Sequence, residues 1–130
     1  MESAVLLREF LLALTVWREA RGEPLLGKLL VAQVIRNRVE DTRWPDTYAG
    51  VITQPYQFSS FNRSDPQVAW YPGEDDPSWV DCAKVAQMIL LAPGRLFHAN
   101  HFYAKTIPPP SWTDGKVPTY EVGAHRFYDL

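Results

Sequence analysis

The sequence predicts an α+β domain that is mainly helical and has a small strand element. Apolar residues recur at helical spacing through the first forty positions, with one break at Gly22. Most of the eleven prolines follow residue 44, so the second half should be rich in loops and turns. The tail over residues 120–128 indicates one or two short strands. A chain of 130 residues with 46% hydrophobic residues fits one domain, 1–130, with a real core.

The first predicted helix runs from about Ala4 to Arg21, with Ser3 as its N-cap and Gly22 as its end. Residues three, four, seven and eight apart lie on one side of a helix. Glu19 therefore falls on the same line as the apolar residues that precede it, Leu11, Leu12 and Val16.

The second predicted helix begins at Pro24, a favoured first helical position, and runs to about Val39. Its apolar residues define a core face: Leu26, Leu29, Leu30, Val34 and Val39. The turn between the two helices is short, so we expect them to pack closely, with Glu19 and Glu23 at their junction.

A short helical turn should follow over 46–52, and 54–76 should be a loop with a brief extended piece at 58–61. Asp76-Pro77 is a strong pair of N-cap and first helical residue, and the helix that it begins should reach about Leu91. Residues 96–103 should be extended or loop. Ile107-Pro108-Pro109-Pro110 should form a rigid strap.

Composition and charge exclude several classes of protein. The net charge of −2 gives no sign of a basic surface for nucleic acid or anionic membrane. The longest clean apolar run, 10–17, is far shorter than the roughly 20 residues that cross a bilayer, so we expect no stable membrane insertion. Cys82, the single cysteine, lies in an apolar helical pattern and should be a buried structural thiol. We expect a monomer.

Glu19 carries the main chemical hypothesis. Burial in an apolar line and the unpaired carbonyls of a helix end both favour a protonated carboxyl and raise its pKa. Cleavage of a glycosidic bond needs such a proton donor. The alternative is an ordinary solvated glutamate, whose pKa Arg18 and Arg21 would lower if they paired with it.

The segment 97–103 is a second candidate. If it is extended, His101 and Tyr103 share one face and Phe102 lies on the other. A zinc site using His98, His101 and His125 finds little support, because His98 and His101 would point to opposite faces. We expect no metal and no cofactor.

Eight other acidic residues could supply a second carboxylate, but spacing selects none of them: Asp41, Asp46, Asp65, Glu74, Asp75, Asp76, Asp114 and Glu121.

An ordered set of motifs resembles the cell-wall hydrolases of the SleB type, the spore cortex-lytic enzyme family. Glu19-Ala-Arg-Gly-Glu23-Pro is followed by Gly27-Lys-Leu-Leu-Val-Ala-Gln-Val-Ile-Arg-Asn-Arg-Val39. The similar later pieces are Trp44-Pro-Asp-Thr47, Gly50-Val-Ile52, Gln57-Phe-Ser59, His101-Phe-Tyr103, Trp112 and Gly123-Ala-His-Arg-Phe-Tyr128. Two features depart from the pattern: Ala104-Lys105 stands where the family has Asn-Pro, and 62–76 has no clear counterpart.

The resemblance implies a lysozyme-like or lytic-transglycosylase-like fold and cleavage of peptidoglycan between N-acetylmuramic acid and N-acetylglucosamine. The family's acid matches Glu19, which the resemblance implies is the single general acid/base of a lytic transglycosylase. Seven further residues are candidates for binding the glycan: Glu23, Gln54, Phe58, Ser59, His101, Tyr103 and Trp112. His125 is expected to be structural.

Three other functions remain open from the sequence. They are a muramidase that hydrolyses the same bond, a peptidoglycan-binding module that has lost catalysis, and a zinc amidase. The N-terminus does not read as a secretory signal, because Glu2 opens it and Arg8-Glu9 interrupts the apolar stretch. We therefore expect synthesis in the cytoplasm and action on the wall, for which a bacteriophage endolysin or a virion-associated lysin offers a route.

Overall fold

Four α-helices and a three-stranded sheet make up the fold in the computed structural model, which describes residues 2–54 and 57–130. The helices are α1 (Glu2–Ala20), α2 (Leu25–Val39), α3 (Tyr48–Ile52) and α4 (Pro77–Leu91). The strands are β1 (His101–Ala104), β2 (Tyr120–Val122) and β3 (His125–Tyr128). The predicted class, mainly helical with a small strand element, is confirmed.

The core lies where α1, α2 and α4 pack against one another. Each helix contributes side chains with no exposed surface: Leu12 and Val16 from α1, Leu30 and Val34 from α2, and Val85 and Ile89 from α4. Cys82 is also fully buried in α4, as expected, and burial raises the pKa of its thiol to about 11. A thiol in that state is a poor nucleophile.

Helix α4 begins as the sequence predicts. The Asp76 side chain accepts hydrogen bonds from the backbone N–H groups of Ser78 (2.9 Å) and Trp79 (3.4 Å), and Pro77 takes the first turn. Asp76 also accepts a hydrogen bond from Nε1 of Trp17 at 3.1 Å. The cap therefore ties the start of α4 to the last turns of α1.

The ends of the first two helices differ from the prediction. Ser3 lies inside α1, which begins at Glu2, so it is not the N-cap. Pro24 is the N-cap of α2, with φ −58° and ψ 160°, rather than its first helical residue. Leu26 is 45% exposed and does not belong to the core face, although Gly27 and Lys28 in the same turn of α2 are buried.

The predicted extended piece at 58–61 is also wrong. A 3₁₀ turn spans Ser59–Phe61, and a second one, Pro66–Ala69, follows with Asp65 as its N-cap. A single 3₁₀ turn buries Ser60 while it leaves Ser59 exposed. The proline strap 107–110 leads into a third 3₁₀ turn, Ser111–Thr113.

The sheet has the antiparallel order β1-β3-β2. Its register places Phe102, Ala104, His125 and Phe127 on one face, and His101, Tyr103, Arg126 and Tyr128 on the other. Phe102 packs against Phe58 of the core, so the first face lies towards the helices. Within the described part of the chain, no helix combines the length and apolar character that a bilayer crossing requires.

Candidate active site

Glu19 lies in the last turn of α1, at a cleft of about 360 Å³. The lining comes from the end of α1 and the turn after it, together with Ala104 at the end of β1 and Ala124 and His125 at the start of β3. A cavity of about 390 Å³ beside the first turns of α1 is mostly apolar, and its described lining holds no carboxyl group. Glu121 lines another open cleft, of about 400 Å³, and Glu9 lines a smaller one, so the cleft at Glu19 is distinguished by the buried state of its carboxyl group.

The environment of Glu19 favours its protonated form. Burial is the main cause, and the negative charge of Asp65 adds to it, so the pKa rises from its ordinary value of 4.5 to about 7. The hydroxyl of Ser60 acts in the opposite direction, because it favours the ionised carboxyl. A carboxyl group with this pKa can both give and take a proton near neutral pH.

The two arginines beside Glu19 bind elsewhere. The Arg18 guanidinium donates to the carbonyl oxygens of Ser60 (3.2 Å), Val68 (3.0 Å) and Trp70 (3.2 Å). Arg21 donates to the Gln67 side chain at 2.9 Å. Both arginines therefore hold the segment 60–70, and neither cancels the effect of burial on the Glu19 carboxyl.

Ser60 lies close to Glu19, whereas the sequence analysis named the adjacent residue, Ser59, as a site residue. The Ser60 side chain is fully buried, and its Oγ makes no hydrogen bond of standard geometry with any residue in 2–54 or 57–130. It is nevertheless close enough to Glu19 to influence the pKa of that carboxyl. Ser59, the predicted site residue, is exposed. Only the 3₁₀ turn distinguishes the two adjacent serines, so no signal in the sequence could have selected Ser60.

Glu23 joins the turn between the helices to the sheet. Its Oε1 accepts a hydrogen bond from the backbone N–H of Ala124 at 2.7 Å and lies 2.9 Å from Nδ1 of His125. Gly123 has φ +55°, and a Cβ there would lie 2.6 Å from the same oxygen. Glu23 lines the cleft with Glu19, and its Oε1 contacts the Ala124 backbone N–H and the His125 ring.

Three of the predicted binding residues form an aromatic cluster on the far face of the sheet. Trp112 packs against His101 and Tyr103, with ring centroids 5.0 and 6.1 Å apart. The shared face predicted for His101 and Tyr103 is confirmed, but it is the face opposite His125, which lines the cleft. Burial and the charges of Arg38 and Arg43 lower the pKa of His101 to about 4, so its ring is neutral at pH 7.

Two further predicted residues do not line this cleft. Phe58 is only 2% exposed and belongs to the core, so it is not a surface that a sugar ring can stack on. Gln54 is partly buried, and its Oε1 has no hydrogen-bond partner within the described residues. The structure thus brings Glu19, Glu23, Ser60 and His125 together and leaves the other candidates outside.

Among the residues that the structure describes, no three histidine, cysteine or acidic side chains are arranged to hold a metal ion. His101 and His125 lie on opposite faces of the sheet.

Comparisons with known proteins agree on one family. A family model described as Cell Wall Hydrolase matches residues 22–128. The match includes Glu23 but begins three residues after Glu19.

Two solved structures are similar over 92% of this chain at 28% identity. They are the catalytic domain of the Bacillus cereus SleB protein (TM-score 0.74, 88% of that chain covered) and the catalytic domain of the germination-specific lytic transglycosylase SleB from Bacillus anthracis (TM-score 0.73, 92% covered). The lysozyme-like fold that the motifs imply is thereby confirmed.

The curated relatives are spore cortex-lytic enzymes. Those of Bacillus cereus and Bacillus subtilis are 44% and 42% identical to this chain over 64 residues, which is 49% of its length. The aligned part is only 24% and 20% of the length of those two proteins.

Proposed function

This chain belongs to the cell wall hydrolase family, and on that premise we propose that it cleaves the glycan strands of peptidoglycan. The bond is the one between N-acetylmuramic acid and N-acetylglucosamine, and the reaction is lytic transglycosylation. Glu19 acts as the single general acid/base. The likeness to a catalytic domain described as a lytic transglycosylase supports this choice of reaction.

One observation carries the proposal. The pKa of Glu19 is raised to about 7 in an open cleft, so a large fraction of the carboxyl is protonated at neutral pH. The general acid of glycoside cleavage needs this property, which an ordinary surface glutamate lacks. Arg18 and Arg21 are occupied by the segment 60–70 and leave the property intact.

The reaction needs only one carboxyl group. Glu19 gives its proton to the glycosidic oxygen as the bond to C1 of N-acetylmuramic acid breaks, and N-acetylglucosamine leaves with a free hydroxyl. The ionised Glu19 then takes the proton of the muramic acid 6-hydroxyl while that oxygen bonds to C1 and closes a 1,6-anhydro ring. The nearby Ser60 hydroxyl favours the ionised Glu19 that exists between the two steps.

Glu23 holds one wall of the cleft in place. Its Oε1 accepts a hydrogen bond from the backbone N–H of Ala124 and contacts Nδ1 of His125, so Glu23 fixes the turn after α1 to the sheet. We propose that Glu23 positions this wall of the cleft and takes no part in proton transfer.

Digestion of purified sacculi tests the proposal. We expect the native protein to release 1,6-anhydromuropeptides and Glu19→Gln to release none, while the exposed Glu74→Gln serves as a control for the loss of one acidic group. Reducing-end products, heavier by one water, would instead identify a muramidase. Unchanged activity of Glu19→Gln would remove Glu19 from the mechanism.

The same experiment separates the other candidate functions. Binding to sacculi without any released product would identify a binding module. Release of stem peptides that EDTA abolishes would identify a zinc amidase. Action at the wall follows from the proposed substrate, whereas the monomeric state and a bacteriophage route remain predictions.

A further inference from the structure

Two exposed aromatic rings lie beside the end of α1 that carries Glu19. Trp70 is 46% exposed and Tyr71 is 63% exposed. Among the aromatic residues in 2–54 and 57–130, Phe10 is the one other that is exposed, at 43%. The aromatic surface that the described chain presents to solvent is therefore concentrated next to the cleft at Glu19.

Each of the two rings lies against an arginine of that cleft. The Arg21 guanidinium carbon is 5.4 Å from the centre of the Trp70 ring, and that of Arg18 is 5.1 Å from the centre of the Tyr71 ring. Arg18 and Arg21 line the cleft together with Glu19. A guanidinium over one face of an aromatic ring attracts the ring and limits its orientation. Because both rings are exposed, their remaining surface faces solvent.

The backbone that carries the rings is also fixed to α1. Arg18 donates to the carbonyl oxygen of Val68 at 3.0 Å and to that of Trp70 at 3.2 Å. The backbone N–H of Trp70 donates to the carbonyl oxygen of Gln67 at 2.9 Å, and Arg21 donates to the Gln67 side chain. A ligand that packs on the two rings therefore has little ordering of the chain to bring about, which lowers the cost of binding.

Resting on the proposed function, we propose that Trp70 and Tyr71 form a stacking platform for a further aminosugar ring of the glycan strand whose bond is cleaved at Glu19. The apolar C–H face of a sugar ring packs against the flat face of an aromatic ring. The platform is continuous with the cleft, because Arg18 and Arg21 belong to both.

A polymeric substrate extends past the bond that breaks, so the surface next to the cleft meets the sugars that follow. The platform touches no reacting atom, and it contributes binding energy for the strand. It lies within 62–76, where the chain departs from the family motifs, so those motifs did not indicate it.

Binding of soluble glycan strands, freed of their stem peptides by an amidase, tests the platform. Calorimetric titrations in the Glu19→Gln background measure Kd without cleavage. We expect Trp70→Ala and Tyr71→Ala each to raise Kd about three- to tenfold. Tyr71→Phe keeps the ring and should keep the Kd of the parent. Phe10→Ala removes a similarly exposed ring outside the cleft and the platform, and should also leave Kd unchanged.

Urea unfolding of the same variants separates stacking from a structural role. The hydrogen bonds that fix this segment use the backbone of Val68 and Trp70, so removing either ring leaves them in place. A variant that loses stability while Kd stays unchanged would show that the ring only covers α1, and would overturn the platform. Weaker binding to intact sacculi with an unchanged Kd for peptide-free strands would assign the rings to stem peptides, and would overturn it too.

The platform and the proposed function can fail separately. Weaker binding by the two alanine variants, in a protein that releases no glycan product from sacculi, retains the platform and overturns the proposed cleavage. Released glycan products together with an unchanged Kd in both alanine variants retain the cleavage and overturn the platform. Absence of binding by Glu19→Gln itself would overturn both.

Discussion

Replacing Glu19 by glutamine should make the stability of this protein less dependent on pH. The native carboxyl has its pKa raised from 4.5 to about 7 on folding, so the folded state binds the proton more tightly than the unfolded chain does. For a carboxyl group, a raised pKa means that folding becomes less favourable as the pH rises from about 4.5 to about 7. Below that window both states are protonated and the difference vanishes.

The magnitude follows from the two pKa values. A difference of one pH unit corresponds to about 1.4 kcal/mol, so the change from 4.5 to about 7 corresponds to about 3 kcal/mol. This is an upper limit, because the side chain is partly exposed and solvent screens its charge. Glutamine keeps the shape and polarity of the protonated acid and removes the cost of the buried charge.

Urea unfolding followed by tryptophan fluorescence measures this effect. Relative to the native protein, Glu19→Gln should be nearly neutral at about pH 4 and should become more stable by up to about 3 kcal/mol by about pH 8. The exposed Glu74→Gln should show no such trend. A difference between native and Glu19→Gln that stays constant across the range would refute the argument that burial controls this carboxyl. His101 and other titrating groups are present in both proteins and cancel.

Three further changes test other parts of the structure. Gly123→Ala should destabilise the protein by about 2 kcal/mol in urea unfolding, because the site has φ +55° and lacks room for a Cβ, whereas Gly94→Ala meets open space and should be nearly neutral. Phe58→Ala should lower the free energy of unfolding by about 3–5 kcal/mol, because it leaves a cavity in the core. Ser59→Ala, at an exposed position, should lower it by less than about 0.5 kcal/mol, and equal effects would contradict the assignment of Phe58 to the core. His101 should remain neutral in NMR titrations down to about pH 5, because its pKa in the folded protein is about 4. Since this pKa lies below the ordinary value of 6.5, the contribution of neutral His101 to stability should be lost as the pH falls from about 6.5 to about 4. Protonation of His101 near pH 6.5 would contradict its burial.

Local signals in the sequence were sufficient for the helices. Asp76-Pro77 starts α4 because a capping carboxylate and a proline in the first turn act over only a few residues. The predicted ends of α1 and α2 are correct to within one or two residues, except that Ser3 and Pro24 hold different positions. The same short-range logic gave the shared face of His101 and Tyr103.

The site required contacts that are distant in sequence. The apolar line on α1 indicated that Glu19 would be partly buried, but Arg18 and Arg21 stood beside it, and nothing local showed where they would bind. Their partners are about fifty residues away, in a segment that the motifs did not cover. Phe58 is buried in the core and Ser59 lies outside this cleft, in a segment where a 3₁₀ turn forms instead of the expected extended piece; their role in binding glycan stays a prediction.

By itself, the sequence determined the mainly helical class, the family and the candidate proton donor, because helical periodicity, capping and ordered motifs are properties of neighbouring residues. Only the tertiary structure decided which groups surround that donor. Packing buried Glu19, exposed it to the electrostatic effects of Asp65 and Ser60, and put His101, Tyr103 and Trp112 on the far face of the sheet. The physical reason is that the pKa of a carboxyl group depends on burial and on charges brought close through space, and these depend on chain segments far apart in the sequence.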